Sequence, residues 1–376
     1  MTSFRTVDPD GPLRLVVVGA GGMGRAWMQT VARSGDAVLA GVVDLDPLAA
    51  QAAADAYRPE AATGADLLDV AGRAGAHAVV DVTIPEAHHA VTTAALVAGL
   101  PVLGEKPVAP TVAEALSLAA AAEVTGELFM VSQSRRWNPQ LATFKAMVGR
   151  LGAIGSVGTV FARAAHFPGF REEMADPLLV DMAIHHFDAV RYLLDREPVA
   201  VYCDGSNPPW SWYAGNASAV AVFELDDGVR YVYDGTWCTP GVETSWNGAW
   251  RVNGEHGTAA WSGDDDPSLV GVDTGRLEVP DVGLEIDGSL REFVTALRTG
   301  RTPSGEVHEN VLSLAMVEAA VESSHTGRRV LLDDVLRSAY TSAVHAESRP
   351  DVRARLASWP SVREALGPAV AGWSLR

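Results

Sequence analysis

Asp181 and His185 stand four residues apart in the run Asp181-Met-Ala-Ile-His-His-Phe-Asp188. On an α-helix that spacing puts both side chains on one face, close enough to touch. A carboxylate one turn from an imidazole fixes the ring tautomer and raises its basicity, as a general base requires. Ile184, Phe187, Val190 and Leu194 fall on a different, apolar face that a core can bury. His186 points about 100° away from His185 on a helix and is a poorer partner for Asp181. An ordinary helix with a surface Asp–His pair shows the same pattern, so the pair gains weight only from its surroundings.

Those surroundings begin with Leu13–Val18, a valine-rich run of the kind expected in a strand buried on both faces. It leads into Gly19-Ala-Gly-Gly-Met-Gly24 and then into Arg25–Arg33, which reads as a helix. Gly19 permits the tight turn, Gly21 lets backbone approach a pyrophosphate, and Gly24 lets helix and strand pack closely. The helix N-terminus offers N–H groups and a positive dipole end to phosphates. A second strand, Val38–Val43, ends in Asp44, whose carboxylate can accept from the ribose hydroxyls of a dinucleotide and would repel the extra phosphate of NADP. NAD is therefore the expected cofactor. Asp46 is better placed than Asp44 to cap the next helix. Further strands at His77–Thr83, in Gly99–Pro107 and at Leu128–Ser132 alternate with helices, which predicts a doubly wound parallel sheet. Ligands bind beyond the carboxyl ends of such strands, where Glu105 and Lys106 lie.

The chain has 376 residues and a formal net charge of −18. That balance argues against nucleic-acid or anionic-membrane partners. Two cysteines, Cys203 and Cys238, make neither a disulfide framework nor a cysteine-based zinc site. Met1–Pro12 lacks the features of a signal peptide and no apolar run is long enough to span a bilayer, so a cytoplasmic protein is expected. A catalytic zinc needs three convergent ligands and an open position. Asp181, His185, His186 and the His88-His89 pair lack that pattern, and Lys106 would repel a cation, so no metal is expected.

These motifs together resemble the glucose–fructose oxidoreductase/inositol dehydrogenase (Gfo/Idh/MocA) family. The matching residues are the glycine loop, Asp44, the Pro85…His89 pair, Glu105-Lys106-Pro107, Arg136-Trp-Asn-Pro139 and Asp181-x-x-x-His185-x-x-Asp188. Glu318–Val330 looks like the family's closing helix and strand, so the likeness runs roughly from Leu13 to Val335. The resemblance implies NAD contacts from Gly19, Gly21, Gly22, Met23, Gly24, Asp44, Thr83, Pro85, His89, Glu105, Lys106 and Arg136. It implies substrate contacts from Lys106, Trp137, His166, Asp181 and His185, with Lys106, Asp181 and His185 catalytic and either Lys106 or His185 taking the proton. It further implies a homodimer or homotetramer. Two positions depart from the family pattern. Ala183 stands where Gly is usual, and Ile84 separates Thr83 from Pro85.

After Pro139 the pattern changes to strands at Ser156–Ala165, Val199–Asp204, Ala217–Leu225, Val229–Thr236 and Trp250–Val252, with Asp226-Asp-Gly228 as a hairpin turn. Six of the ten tryptophans lie between Trp210 and Trp261 and read as sheet or interface residues. The expectation is a Rossmann domain over 1–135 and an α+β domain over 136–376, with a large open, mainly antiparallel sheet. The tail, 340–376, has no assigned role. The expected activity is NAD-dependent oxidation of a secondary hydroxyl of a sugar, sugar derivative or cyclic polyol. The rivals are an NAD-dependent glycoside-cleaving enzyme and a non-catalytic dinucleotide-binding sensor.

Overall fold

The run Leu13–Val18 forms β1, and every side chain but that of Arg14 is buried. It is the centre of a six-stranded sheet in a computed structural model that describes residues 4–7, 9–273 and 275–367. The other strands are β2 (Ala37–Val43), β3 (Ala62–Gly64), β4 (Ala78–Asp81), β5 (Val102–Gly104) and β6 (Phe129–Val131). Their order is β3-β2-β1-β4-β5-β6 and every pair is parallel. Helices α1 (Gly22–Arg33), α2 (Pro47–Tyr57), α3 (Leu67–Ala74), α4 (Pro85–Val97) and α5 (Val112–Thr125) connect them. The caps explain where these helices start. Asp46 accepts from the Leu48 N–H at 2.9 Å, Asp66 from Asp69 at 2.8 Å and Thr111 from Glu114 at 3.2 Å. The short β3 and α3 were not foreseen, since three strand residues carry too little pattern to read.

A second sheet of eight strands is built from β7 (Ile154–Ala162), β8 (Pro198–Ser206), β9 (Ser218–Leu225), β10 (Arg230–Thr236), β11 (Ala249–Gly254), β12 (Gly257–Trp261), β13 (Ser268–Val270) and β14 (Val330–Leu331). The order is β13-β12-β11-β7-β10-β9-β8-β14, antiparallel except for the β7–β10 pair. Helix α6 (Pro139–Val148) and α7 (Ile184–Leu194) belong to this unit. Alternation along the strands gives the sheet two faces. Phe223, Tyr231 and Tyr233 point to one face and meet Phe187 of α7 edge-on, with centroids 4.8–6.3 Å apart. Val160, Tyr202, Val220, Val222 and Val232 point to the other face and are exposed.

The remaining helices are α8 (Glu285–Thr299), α9 (Val307–Thr326), α10 (Leu332–Ala346), α11 (Pro350–Ala357) and α12 (Val362–Leu366). The expected single boundary near 135 is corrected here. Gly283–Val311 and Ala339–Leu366 belong with the parallel sheet, while Arg135–Val282 and Leu312–Ser338 form the second unit. Long-range contacts cause this. Arg33 of α1 pairs with Asp287 of α8 at 3.0 Å, and the Val131 N–H donates to the Gly305 carbonyl at 2.8 Å. Helix α11 lies on α5, where Arg355 Nε and the Trp359 indole N–H both reach Glu123 at 2.8 Å. His308 completes this buried cluster, 2.7 Å from Glu306 and 3.4 Å from Glu123. Burial alone would raise the Glu123 carboxyl, but His308, Arg355 and Trp359 hold it down at about 2. Burial alone would lower His308, but the two glutamates push it up to about 10. The tail thus acts as part of the first unit as far as Leu366, and 368–376 lie outside the described residues. No described helix is long and apolar enough to cross a membrane.

Candidate active site

One group of candidate residues gathers at the carboxyl ends of β1, β2, β4 and β5. Gly19 takes φ +104°, and a Cβ there would lie 2.5 Å from the Val82 carbonyl oxygen. A Cβ on Gly24 would lie 1.9 Å from the Gly19 oxygen, so strand and helix meet with no room for a methyl. Gly21 and Gly22 differ: a Cβ on either meets nothing within 4 Å. The first pair is required by the fold, whereas the second pair leaves open space. Gly21 is the N-cap of α1, which has no side-chain cap. A pyrophosphate fits that place, where it would supply the partner the helix end lacks. Met23, Leu45 and Ile84, all exposed, add apolar surface on the same loops.

Asp44 accepts from the Ala20 N–H at 2.8 Å and the Asp46 N–H at 2.9 Å, so it also braces the glycine loop. Each oxygen keeps a lone pair for a ribose hydroxyl. Thr83 donates from its N–H and hydroxyl to Asp81, at 3.1 and 2.7 Å, and Pro85 opens α4. Burial raises the Asp81 carboxyl above its ordinary range, against the pull of His88 and its hydroxyl donors. Glu105 receives the Trp27 indole N–H at 2.7 Å and the Lys106 backbone N–H at 3.2 Å. Burial raises its carboxyl too, with Trp27 opposing. The pair fixes the turn that carries Lys106, whose bond to Pro107 is cis.

His89, expected at the cofactor, meets α5 in this structure. Its Nε2 lies 3.0 Å from the Ser117 hydroxyl on α5, and Ser117 donates to Glu347. The ring on the loop side is His88, which sequence reasoning passed over. Its Nδ1 is 2.7 Å from the Pro107 carbonyl and its Nε2 is 3.1 Å from that of Thr83. It therefore joins the loop after β4 to the Lys106 turn. The signal was present: His88, Thr92, Ala95 and Leu96, all buried, follow the i, i+4, i+7, i+8 spacing of an inward face, and His89 does not.

A second group of candidate residues lies in the other unit. Asp181 is not in an α-helix as expected; Leu178–Ala183 is a π-helical turn that passes into α7 at Ile184. Such turns widen a helix locally and recur at functional sites. Asp181 accepts from Arg171 Nε at 2.7 Å. His185 opens α7, and Ile184, Phe187 and Val190 are fully buried as foreseen. The helix is anchored by a buried network. Arg136 forks onto Asp188 at 2.8 and 2.6 Å, Ser313 donates to Asp188 at 2.7 Å, and Arg191 reaches Ser313 and Glu197, each at 2.7 Å. Arg136 is the residue expected to touch the cofactor. Its guanidinium, 2 % exposed, is held by Asp188 and serves to place α7. Trp137, expected at the substrate, is buried and packs.

His186 is enclosed by Phe161, Tyr233 and Trp250, and burial together with Arg135 lowers its pKa well below the ordinary histidine value. It therefore stays neutral. Arg135, absent from the sequence expectations, lines a small cavity with His185, His186, Asn247 and Trp250. His166 remains available: its side chain is 61 % exposed and stacks on Trp212 at 3.8 Å. Trp237, Trp250 and Trp261 are buried, in keeping with their reading as sheet residues.

With this geometry in hand, the comparisons with known proteins are informative. Residues 13–133 match the family model described as "Oxidoreductase family, NAD-binding Rossmann fold", and 143–260 match the GFO/IDH/MocA C-terminal domain. Inositol 2-dehydrogenase 1 of Saccharopolyspora erythraea is 36 % identical over 50 % of this chain and 56 % of its own. Inositol 2-dehydrogenase 2 of Paenarthrobacter aurescens is 29 % identical over 84 % of this chain and 97 % of its own. Among solved structures, an oxidoreductase from Agrobacterium radiobacter in complex with NAD+, L-tartaric acid and magnesium aligns with a TM-score of 0.76. It is 20 % identical, over 86 % of this chain and 99 % of its own, a likeness of fold. The glycine turn between β1 and α1, the open backbone at Gly21 and the carboxylate ending β2 are the parts of an NAD site, and the chain belongs to the Gfo/Idh/MocA family of NAD-dependent oxidoreductases.

Proposed function

We propose that the protein oxidises a secondary hydroxyl of a sugar, sugar derivative or cyclic polyol, with NAD preferred over NADP. The observation that carries this reading is the pairing of a dinucleotide loop at β1 with Glu105-Lys106 at the end of β5 in the same parallel sheet. Relatives named inositol 2-dehydrogenase, and a D-apiose dehydrogenase of Paraburkholderia graminis 28 % identical over 72 % of this chain, support the substrate class.

The glycine loop and Asp44 would hold NAD, which would supply the acceptor for the hydride leaving the carbinol carbon. The protein's share is the proton and the charge. Lys106 donates a hydrogen bond to the substrate oxygen and offsets the negative charge that grows there. His185 takes the hydroxyl proton, the part an imidazole most often plays in general-base catalysis. Asp181 stabilises the imidazolium. Burial and the charges of Glu172 and Asp181 push the Tyr213 phenol up to about 12.

The test is a panel of monosaccharides, anhydrosugars and inositols, each with NAD and NADP, followed at the NADH absorbance. Reduction of NAD by a polyol supports the reading. Release of sugar from glycosides without net NADH would favour the glycoside-cleaving rival. Dinucleotide binding with no turnover of any compound would favour the sensor.

A further inference from the structure

Arg171 pairs with Asp181 in the second unit through one of its nitrogens. Its Nε donates to Asp181 Oδ2 at 2.7 Å. Its two terminal amino groups make no hydrogen bond to any described residue, and the side chain is 37 % exposed. The guanidinium lies over two rings, 4.7 Å from the centroid of Phe170 and 5.6 Å from that of Phe167. Phe170 is itself 58 % exposed. Stacking on ring faces fixes the plane of the fork while leaving its outer edge open. The segment behind it is tied down. The Ala214 N–H donates to the Glu172 carbonyl at 2.8 Å, and the Asn216 N–H donates to the Ala175 carbonyl at 2.7 Å.

We infer that Arg171 recognises an anionic group, a carboxylate or a phosphate, on the substrate. A planar fork with two open donor groups matches either anion bidentately, which a neutral hydroxyl does not exploit. The nearby carboxylates bear on this. Asp181 is already paired through Nε, and Glu172 faces His166 at 3.6 Å, so neither occupies the outer edge. One guanidinium would then bridge the substrate's anion and Asp181, fixing the ring that carries the reacting hydroxyl against the catalytic carboxylate. The inference rests on the dehydrogenase reading and narrows it: the preferred substrate is a sugar acid or sugar phosphate, and a neutral polyol is the poorer one.

The experiment compares glucose, galactose and myo-inositol with the two uronates and with glucose and inositol phosphates, at saturating NAD. The readout is the ratio of kcat/KM for each charged compound to its neutral parent. The unmodified protein should favour a charged member. Arg171→Met should lower that ratio by roughly 10- to 100-fold, the usual worth of a hydrogen-bonded charge. Arg171→Lys, which keeps the charge without the fork, should restore part of it. Whether the uronates or the phosphates lead identifies the anion. A ratio unchanged in Arg171→Met overturns the inference even if turnover falls, since Arg171 would then act only on Asp181. If no compound reduces NAD, calorimetry of the same compounds on the NAD-loaded protein decides. Tighter binding of a charged member that Arg171→Met abolishes upholds the anion site while the dehydrogenase reading falls. Equal binding, or no binding, overturns the site.

Discussion

Gly21→Ala and Gly24→Ala, three residues apart in one loop, should fail in opposite ways. A methyl at Gly24 would lie 1.9 Å from the Gly19 oxygen and 2.8 Å from its carbon. A comfortable contact is roughly 3.5 Å, and both of these atoms are backbone, so β1 or α1 must shift. Overpacking of this kind costs about 1–3 kcal/mol, occasionally more. At roughly 2–4 °C per kcal/mol for a unit of this size, Tm should fall by about 2–12 °C. Gly21 is the reverse case. Its φ of −67° and ψ of −168° suit alanine, and no atom lies within 4 Å. Loss of unfolded-chain freedom predicts a gain of about 0.4–1 kcal/mol, so Tm should hold or rise slightly. The methyl instead enters the space read here as the pyrophosphate's. A comparable overpacking of about 1–3 kcal/mol would weaken NADH roughly 5- to 150-fold. Calorimetry without cofactor and a fluorescence titration of NADH measure the two effects separately. If Gly21→Ala binds NADH as tightly as the unmodified protein, or Gly24→Ala melts with it, the division of labour within the loop is wrong.

Asp44→Ser should weaken NAD and narrow the gap to NADP, and equal activity of the unmodified protein with both cofactors would contradict the assigned role. His185→Ala should lower turnover by on the order of 10²–10⁴ and remove the acid limb of the pH–rate profile, with NADH binding nearly unchanged. If both survive and Lys106→Met removes them, Lys106 is the base. The His308 cluster predicts a pH window. With His308 raised to about 10, its contribution is full below the unfolded value near ~6.5 and is lost as pH climbs toward 10. With Glu123 held at about 2, its contribution is full above ~4.5 and is lost as pH falls toward 2. Tm scanned against pH should therefore fall less on the alkaline side in His308→Gln than in the unmodified protein, and parallel curves would refute this. The exposed row Val232, Val222 and Tyr202, paired across β10, β9 and β8, supports a homodimer or homotetramer joined through that face. Sedimentation should show an oligomer that Val222→Asp converts to monomer, and a monomeric unmodified protein at micromolar concentration would count against it.

Much of the fold was legible because its signals are local. The bounds of β1 and the Asp46 cap depend on neighbours within a few residues, and the structure places them as the sequence predicts. The glycine loop was legible for a related reason. Gly19 and Gly24 answer to backbone sterics that a one-dimensional pattern records. Tertiary structure decided the rest. Nothing near His308 in the sequence announces Glu123 or Arg355, so the return of α8 and α11 to the first unit could not be read. Arg136 looked like a cofactor ligand because its partner, Asp188, lies 52 residues away. The Asp181–His185 spacing suggested an α-helix, and the chain makes a π-turn there, ion-paired to Arg171 ten residues earlier. Sequence determined which residues could do chemistry, since residue type and helical or strand period are carried by the chain itself. Tertiary structure decided which of them were already committed, because an ion pair is set by where distant segments meet in space.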